Sequence, residues 1–251
     1  MKKVFFFLLT TLMGSANAQV KSFFWTDSVD GEWQGEKVRT TIDTKVYFIG
    51  NYMCKSVCDF TYSWKCERSV KLYEYKDNHF EPLETKELFK DKGKELLSIA
   101  NLKLQQSYNE GKGKVHDCFV GMDNPGAKEW NSFETGFSEE GFWLSYFFDA
   151  GGYCDAYNWS DTLIQWEKIK PMLTNPLVIT PDFCTPSGPK VNIRSEESSK
   201  SEVLFQLDKG EFFEIISKGK EDKVNGKSGL WYMINYFGKT GYIFSFYTLC
   251  R

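Results

Sequence analysis

Short alternating hydrophobic runs separated by polar or glycine-bearing turns constrain residues 191–249 more than any other feature constrains this chain. The runs cover residues 191–195, 203–207, 212–216, 231–236 and 242–244, and the intervening loops include residues 196–202, 208–210, 217–229 and 237–241. A strand directs its side chains alternately to two faces, so short alternating runs at near-regular spacing predict a small closed β-barrel.

The same stretch carries a series of recognisable motifs. They are an asparagine–arginine strand (residues 191–195), a Leu-x-x-Gly turn (207–210), a Trp-Tyr strand (231–232) and a Gly-Lys-x-Gly-Tyr-Ile hairpin (238–243). This series resembles the bacterial SH3-like domain, or SH3b. The resemblance implies an all-β SH3-like small barrel over residues 181–251. It does not name a ligand, because a fold alone does not imply a function.

The first eighteen residues have the pattern of a secretory signal peptide. Lys2 and Lys3 form a basic start, residues 4–13 are apolar but too short to span a bilayer, and residues 16–18 are a small-residue cleavage site. An uncleaved anchor is the alternative, and it would need a longer apolar run. We expect the mature chain to begin at Gln19. It would be exported to the periplasm or secreted, with no lipid anchor and no transmembrane segment.

Residues 19–180 predict a single α+β domain. Its clearest helix covers residues 92–109, where Leu96, Ala100, Leu104 and Tyr108 share one stripe, and glycines at 111–113 end it. The expected strands are residues 37–49, 60–65, 70–75, 115–120, 133–137, 141–148 and 161–165, followed by a short helix at 166–173. Residues 23–25 are either a first strand or an unpacked tail.

The order of elements in this domain carries a second resemblance. Residues 83–89 before a helix, then residues 138–142, 147–149, 150–157 and 161–173, are similar to the extracellular domain of the lysozyme-sensing anti-sigma factor. A related domain accompanies some peptidoglycan deacetylases. This chain departs from the pattern at residues 150–154, where the tyrosine-rich loop is altered, and at residues 54–66, where a strand pair is shortened. The resemblance implies contact with lysozyme or another protein.

Seven cysteines fall after the signal peptide. They are Cys54, Cys58, Cys66, Cys118, Cys154, Cys184 and Cys250. In an oxidising compartment most should pair, and the odd number leaves at least one unpaired. The ends of an SH3-like barrel tend to lie close together, so we expect a Cys184–Cys250 disulfide. The spacing of the first three fits no standard zinc pattern, which favours disulfides over a metal site.

The sequence offers few residues for catalysis. It has two histidines, His79 and His116, and neither lies downstream of Cys118, as the base of a cell-wall cysteine peptidase would. Zinc amidases and deacetylases use two or three histidines with a carboxylate, and the two here are isolated and far apart in sequence. No Gly-x-Ser-x-Gly or phosphate-binding glycine motif occurs. Glu139 and Glu140 sit in a turn-like polar stretch typical of solvated charge. We therefore predict no enzyme activity, no cofactor and no metal.

Aromatic side chains of the barrel are the stronger candidates for binding. Alternation places Trp231 and Tyr232 on opposite faces of their strand, so one aromatic set should face outward. The candidate ligand-binding residues are Arg194, Tyr236, Phe237, Tyr242 and Phe246. An alternative interpretation places Trp231 and Tyr242 in the core and leaves the others covering loops.

These observations predict a non-catalytic exported envelope protein with two modules. It would bind a cell-wall peptide or glycan, or an envelope protein. The net charge of −3 becomes more negative once Lys2 and Lys3 are removed, and no basic stripe is present, which argues against nucleic acid. The alternatives are a lysozyme- or other protein-binding factor acting through residues 19–180, and a cell-wall-modifying enzyme with an unrecognised site.

Overall fold

The computed structural model describes residues 20–33, 36–60, 67–77, 79–114, 118–119, 121–149, 158–175 and 182–250. The chain divides into two compact units. The first comprises Met1–Glu74 and Pro82–Val178, and the second comprises Tyr75–Glu81 and Ile179–Arg251. No helix within the described ranges combines the length and hydropathy that crossing a membrane requires. The predicted signal peptide lies outside the described residues.

A five-stranded sheet opens the first unit. Its strands follow in sequence order: β1 (Lys21–Trp33), β2 (Glu36–Ile49), β3 (Tyr52–Asp59), β4 (Glu67–Lys76) and β5 (His79–Leu83). Strands β1 to β4 pair antiparallel. Val46 and Phe48 are buried on β2. Phe60 is not in a strand, contrary to the prediction for 60–65, whose other residues lie outside the described ranges. Strand β3 buries Tyr52 and Cys54 and ends at Asp59.

Helices and a three-stranded antiparallel sheet complete the first unit. They are α1 (Thr85–Phe89), α2 (Gly93–Lys114), β6 (Glu134–Phe137), β7 (Gly141–Phe147), β8 (Trp159–Gln165) and α3 (Trp166–Ile169). The sheet order is β6-β7-β8. The buried stripe of α2 is the predicted one. An α+β architecture is therefore confirmed for the N-terminal region.

The end of α2 differs from the prediction. The helix continues through Gly111 to Lys114 instead of stopping at the glycines. A Cβ atom at Gly111 would overlap the ring of Phe119, so this glycine permits close packing and does not end the helix. Cys118 and Phe119 are not in a strand, contrary to the prediction for 115–120, whose other residues lie outside the described ranges.

The second unit contains a curled seven-stranded sheet. Its strands are β9 (Phe183–Pro186), β10 (Val191–Arg194), β11 (Val203–Leu207), β12 (Phe213–Val224), β13 (Lys227–Tyr236), β14 (Lys239–Phe244) and β15 (Thr248–Cys250). The order in the sheet is β11-β10-β14-β13-β12-β9-β15. This arrangement fits an SH3-like barrel and confirms the predicted all-β fold.

The predicted loop at 217–229 is wrong. Strands β12 and β13 extend through it as a long hairpin that turns at Asn225 and Gly226. Both turn residues have positive φ angles, 50° and 76°. An Asn-Gly pair adopts this conformation readily and is the preferred closure of a two-residue hairpin.

Disulfide bonding follows the cysteine prediction in part. Cys184 and Cys250 are bonded, with their Cα atoms 4.4 Å apart, because β9 and β15 place them opposite each other. Cys58 and Cys118 are also disulfide-bonded. Cys54 was a disulfide candidate, and that prediction is wrong: it is a free, buried thiol that accepts a hydrogen bond from the backbone N–H of Phe137. Cys66 and Cys154 lie outside the described residues.

Candidate functional site

The turn between β13 and β14 has an unusual backbone. Tyr236 pairs with Lys239, so Phe237 and Gly238 form a two-residue turn, with φ angles of 51° and 78°. A positive φ suits glycine but is an outlier for a bulky aromatic residue. The side chain of Asn235 supports the turn by accepting a hydrogen bond from the N–H of Gly238 at 3.0 Å. The chain therefore holds Phe237 in a costly conformation.

Aromatic rings cluster around this turn. The ring of Phe237 is 51% exposed and meets the ring of Tyr236 edge-on, with centroids 4.5 Å apart. Tyr236 stacks in turn on Phe205 of β11 at 6.1 Å. The ammonium of Lys239 lies 5.9 Å from the centre of the Phe205 ring. We call these four residues, together with His79, the turn patch.

Tyr236 is anchored within the turn patch. Its hydroxyl donates a hydrogen bond of 2.5 Å to Oε1 of Glu211, and its ring packs against the buried cluster of the barrel. Burial, and then the interaction with Glu211, raise the pKa of Tyr236 well above that of an ordinary tyrosine. The hydroxyl therefore stays protonated and acts as a donor. Tyr236 supports Phe237 more than it faces solvent.

His79 approaches the turn patch from the segment Tyr75–Glu81 of the second unit. Its ring lies 6.3 Å from that of Phe237. Nδ1 bonds the carbonyl oxygen of Asp77 at 3.2 Å, and Nε2 bonds the carboxylate of Glu81 at 2.9 Å. These bonds, that to Asp77 first, raise the pKa of His79 because they favour the charged imidazolium. Sequence reasoning missed this residue as a binding candidate.

Three aromatic rings explain why this segment belongs to the second unit. Tyr75, Phe80 and Phe183 form a triangle with ring centroids 5.0 Å apart. The hydroxyl of Tyr75 also donates to Oε2 of Glu214 at 3.3 Å. Burial and the nearby carboxylate raise the pKa of Tyr75 to about 12. The cluster fixes the segment that carries His79.

The remaining sequence candidates do not join the turn patch. Arg194 donates from Nη1 to the backbone carbonyl of Ser201 at 2.6 Å, so it closes the loop between β10 and β11. Tyr242 lies opposite Arg194 in the sheet and is partly buried. Phe246 is exposed, but it lies near Lys227, at the opposite end of β13 from Tyr236.

The expectation that one face of β13 would be outward is wrong. Trp231 is buried with Val224 and Phe244 in one cluster. Ile234, three residues later, is buried in a second cluster with Ile193. Each face of β13 therefore carries a fully buried side chain, Trp231 on one and Ile234 on the other. Trp231 is a core residue, as the alternative interpretation held, whereas the half-buried Tyr242 is peripheral.

The described part of the first unit contains surface grooves. One groove has a volume of about 820 Å³, and its lining includes Tyr73, Trp130 and Glu134. Within the described ranges, no three His, Cys, Asp or Glu side chains converge as metal ligands would. Cys118 is disulfide-bonded, and His116 lies outside the described residues.

Comparisons with known proteins bear on the second unit. Searches of curated proteins and of solved structures each returned no match. The likeness of residues 19–180 to the sensor domain of the anti-sigma factor stays a prediction. The family model described as the bacterial SH3 domain matches residues 189–248, which span β10 to β14. By this match and by its strand order, the C-terminal part of the chain is similar to bacterial SH3 domains, as its motifs predicted.

Proposed function

We propose that this chain is an exported, non-catalytic envelope protein that binds peptidoglycan through the turn patch of its SH3-like barrel. Bacterial SH3 domains are cell-wall binding modules, and the match at residues 189–248 supports the same role here. The signal-peptide pattern of residues 1–18 supports export to the compartment where peptidoglycan lies.

The observation that carries this proposal is the conformation of Phe237. A left-handed backbone costs an ordinary residue roughly 1–2 kcal/mol, and glycine would remove that cost. The ring is nevertheless half exposed, so burial offsets little of it. Strain held at an exposed aromatic residue favours a role in recognition.

The chemistry of the turn patch suits wall peptides and sugars. The rings of Phe237 and Phe205 offer apolar faces for stacking. Lys239 supplies positive charge for the carboxylates of wall peptides, and protonation of His79 offsets the negative charge of Glu81. The carboxylate of Glu211 is already engaged by Tyr236. Because Tyr236 and its neighbours are packed, little ordering would accompany binding.

Co-sedimentation of the full-length protein with insoluble peptidoglycan tests the proposal. Phe237→Gly should weaken binding by about thirtyfold, since losing a central aromatic costs about 2 kcal/mol or more. The same change should leave the melting temperature equal or higher, because glycine accepts the positive φ. Opposite effects on binding and stability would separate recognition from folding.

A matched control is available in the same barrel. Phe246 is 46% exposed, close to the 51% of Phe237, but lies away from the turn patch. Phe246→Ala should sediment with peptidoglycan like the natural protein. Unchanged sedimentation of Phe237→Gly would contradict the proposed site.

A second candidate function is favoured by the groove of about 820 Å³ in the first unit. A groove of that size can accept a loop of a protein such as lysozyme. Size-exclusion chromatography of the full-length protein mixed with lysozyme tests this function. Co-elution that survives Phe237→Gly would place the contact in the first unit.

A further inference from the structure

The outer face of the sheet β6-β7-β8 is exposed and aromatic. Strand β8 alternates strictly: Ser160, Thr162 and Ile164 are buried, and the residues between them are exposed. The inner side packs on α2, where Ser160 donates a hydrogen bond of 3.0 Å to Ser107. The outer side therefore presents a regular surface of the first unit that the turn patch does not use.

Two exposed rings form the centre of this face. Phe147 and Trp159 lie opposite each other on β7 and β8, and their ring centroids are 5.0 Å apart. Phe147 is 46% exposed and Trp159 is 45% exposed. Trp143 lies further along β7 over Gly136, where a Cβ atom would come within 2.5 Å of its ring. The glycine leaves room for that ring to lie against the sheet.

The guanidinium group of Arg68 lies over two tryptophan rings. The centre of the Arg68 guanidinium lies 4.7 Å from the ring of Trp143 and 5.4 Å from that of Trp159. Its Nε and Nη2 atoms contact Oε2 of Glu134 at 2.8 Å and 2.6 Å. Nη1 has no partner among the described residues. Arg68 is thus held in place with donor capacity remaining.

Carboxylates and a hydroxyl border the rings. Ser145 donates a hydrogen bond to Asp161, its neighbour on β8. The second oxygen of Glu134, Oε1, is buried and accepts no hydrogen bond from any described residue. The two carboxylates therefore border the rings, and only Oε2 of Glu134 is engaged by Arg68.

We propose that this face binds a neutral glycan chain, with sugar rings stacked on Trp159 and Phe147 and hydroxyls bonded to Arg68 and Asp161. A sugar ring offers C–H faces for aromatic rings and hydroxyls for polar neighbours. The charges favour a neutral ligand, because Arg68 compensates Glu134 and Asp161 adds a negative charge that repels anions.

The size of the aromatic surface also favours a sugar over a protein. Aromatic side chains present about 150–250 Å² each, so two that are nearly half exposed offer roughly 200 Å². A stable protein interface needs about 800 Å² on each partner. The rings of Phe147 and Trp159, which we call the platform, match one or two sugar rings in area.

Neighbouring cavities would accommodate the rest of a chain. Glu134 also lines the groove of about 820 Å³. On another side, Arg68 and Trp143 line a pocket of about 430 Å³, together with Tyr47 and Ser56. A glycan that crosses the platform can therefore continue into either cavity, which predicts a preference for oligosaccharides over single sugars.

Calorimetric titration of the full-length protein with cellohexaose and with chitohexaose tests the proposal. At least one should bind at millimolar concentrations, and Trp159→Ala should lower its affinity by about thirtyfold. Phe246 is the matched control, because it is 46% exposed and Trp159 is 45% exposed. The variant Phe246→Ala should bind the oligosaccharide like the natural protein. Trp159 is exposed, so its replacement should leave the melting temperature near that of the natural protein.

The outcomes separate this site from the turn patch. Phe237→Gly should bind the oligosaccharide normally, whatever its effect on sedimentation with peptidoglycan. Failure of both oligosaccharides to bind the natural protein would overturn the proposal, as would unchanged affinity in Trp159→Ala. Concentration-dependent self-association that Trp159→Ala abolishes, without oligosaccharide binding, would identify the face as a contact between copies instead.

Discussion

Replacing Trp231 by alanine tests how the barrel is stabilised. Trp231 is 1% exposed and packs on Phe244 with ring centroids 5.3 Å apart. Its indole N–H donates to Asp222 at 3.0 Å. Asp222 is only partly buried, so water can replace that bond, and most of the effect should come from lost packing.

The expected loss is large relative to the stability of a unit of this size. Truncating a buried tryptophan to alanine costs about 3–5 kcal/mol. A domain gains about 0.05–0.15 kcal/mol per residue, which gives roughly 3–10 kcal/mol for residues 182–250. Trp231→Ala should therefore remove about 30% or more of the stability of the barrel and can unfold it.

Urea denaturation followed by NMR measures this effect within the barrel. The methyl signals of Ile193, Ile234 and Ile243 report on the second buried cluster, where each is 0% exposed. With a slope of about 1 kcal/mol per molar urea, the midpoint should fall by about 3 M or more. Trp231→Phe keeps a ring in place and should lose less. A midpoint in Trp231→Ala no lower than that of the exposed-site control Phe246→Ala would refute the assignment of Trp231 to the core.

Two further predictions concern covalent and electrostatic features. Replacing both Cys184 and Cys250 by serine should lower the free energy of unfolding by about 4 kcal/mol, because the bond joins residues 66 apart; an unchanged urea midpoint would contradict this. Sedimentation with peptidoglycan should strengthen as pH falls through the raised pKa of His79, since the imidazolium is the charged form beside Phe237. His79→Gln should lose that pH dependence, and its persistence would show that another group is responsible.

The barrel was predictable because its signals are local. Its alternating runs and glycine turns predict most of the strands. Cys184 and Cys250 lie on either side of the barrel sequence, which predicts their disulfide bond. The long hairpin of β12 and β13 was missed because its residues at 217–223 are strongly polar. Asn225-Gly226 was the available signal, since this pair closes two-residue hairpins. The polar composition of residues 217–223 indicated a loop, although β12 and β13 stay paired there, beyond the hydrophobic core.

The turn patch was only partly predictable. Tyr236 and Phe237 were identified because they adjoin a glycine turn, which is a local feature. His79 is far away in sequence, and only the packing of Tyr75 and Phe80 on Phe183 brings it to Phe237. Arg194 stays a predicted ligand residue, and its bond to the carbonyl of Ser201 could not be foreseen because it depends on the loop conformation. The periodicity of a sequence predicts local secondary structure, but it does not predict contacts between distant segments.

The outer face of β8 shows why strand limits matter for function. The predicted strand began at residue 161 and so excluded Trp159. In the structure, β8 begins at Trp159. Once Trp159 is included, Trp159, Asp161 and Leu163 form one exposed row by period-two alternation. The partner Arg68 lies on β4, far away in sequence, so no local pattern could place its guanidinium on that row.

The two proposed sites, each modest in size, would act together on a polymeric ligand. The turn patch lies in the second unit and the platform of Trp159 in the first, and both carry exposed aromatic rings. A cell wall repeats its sugars and peptides many times, so binding at one site raises the effective ligand concentration at the other. Linked sites of this kind can exceed the affinity of either one by about 10²–10⁴ without a new contact. The two proposals together predict weak binding of soluble oligosaccharides but firm retention on the insoluble wall, and loss of either site should weaken that retention.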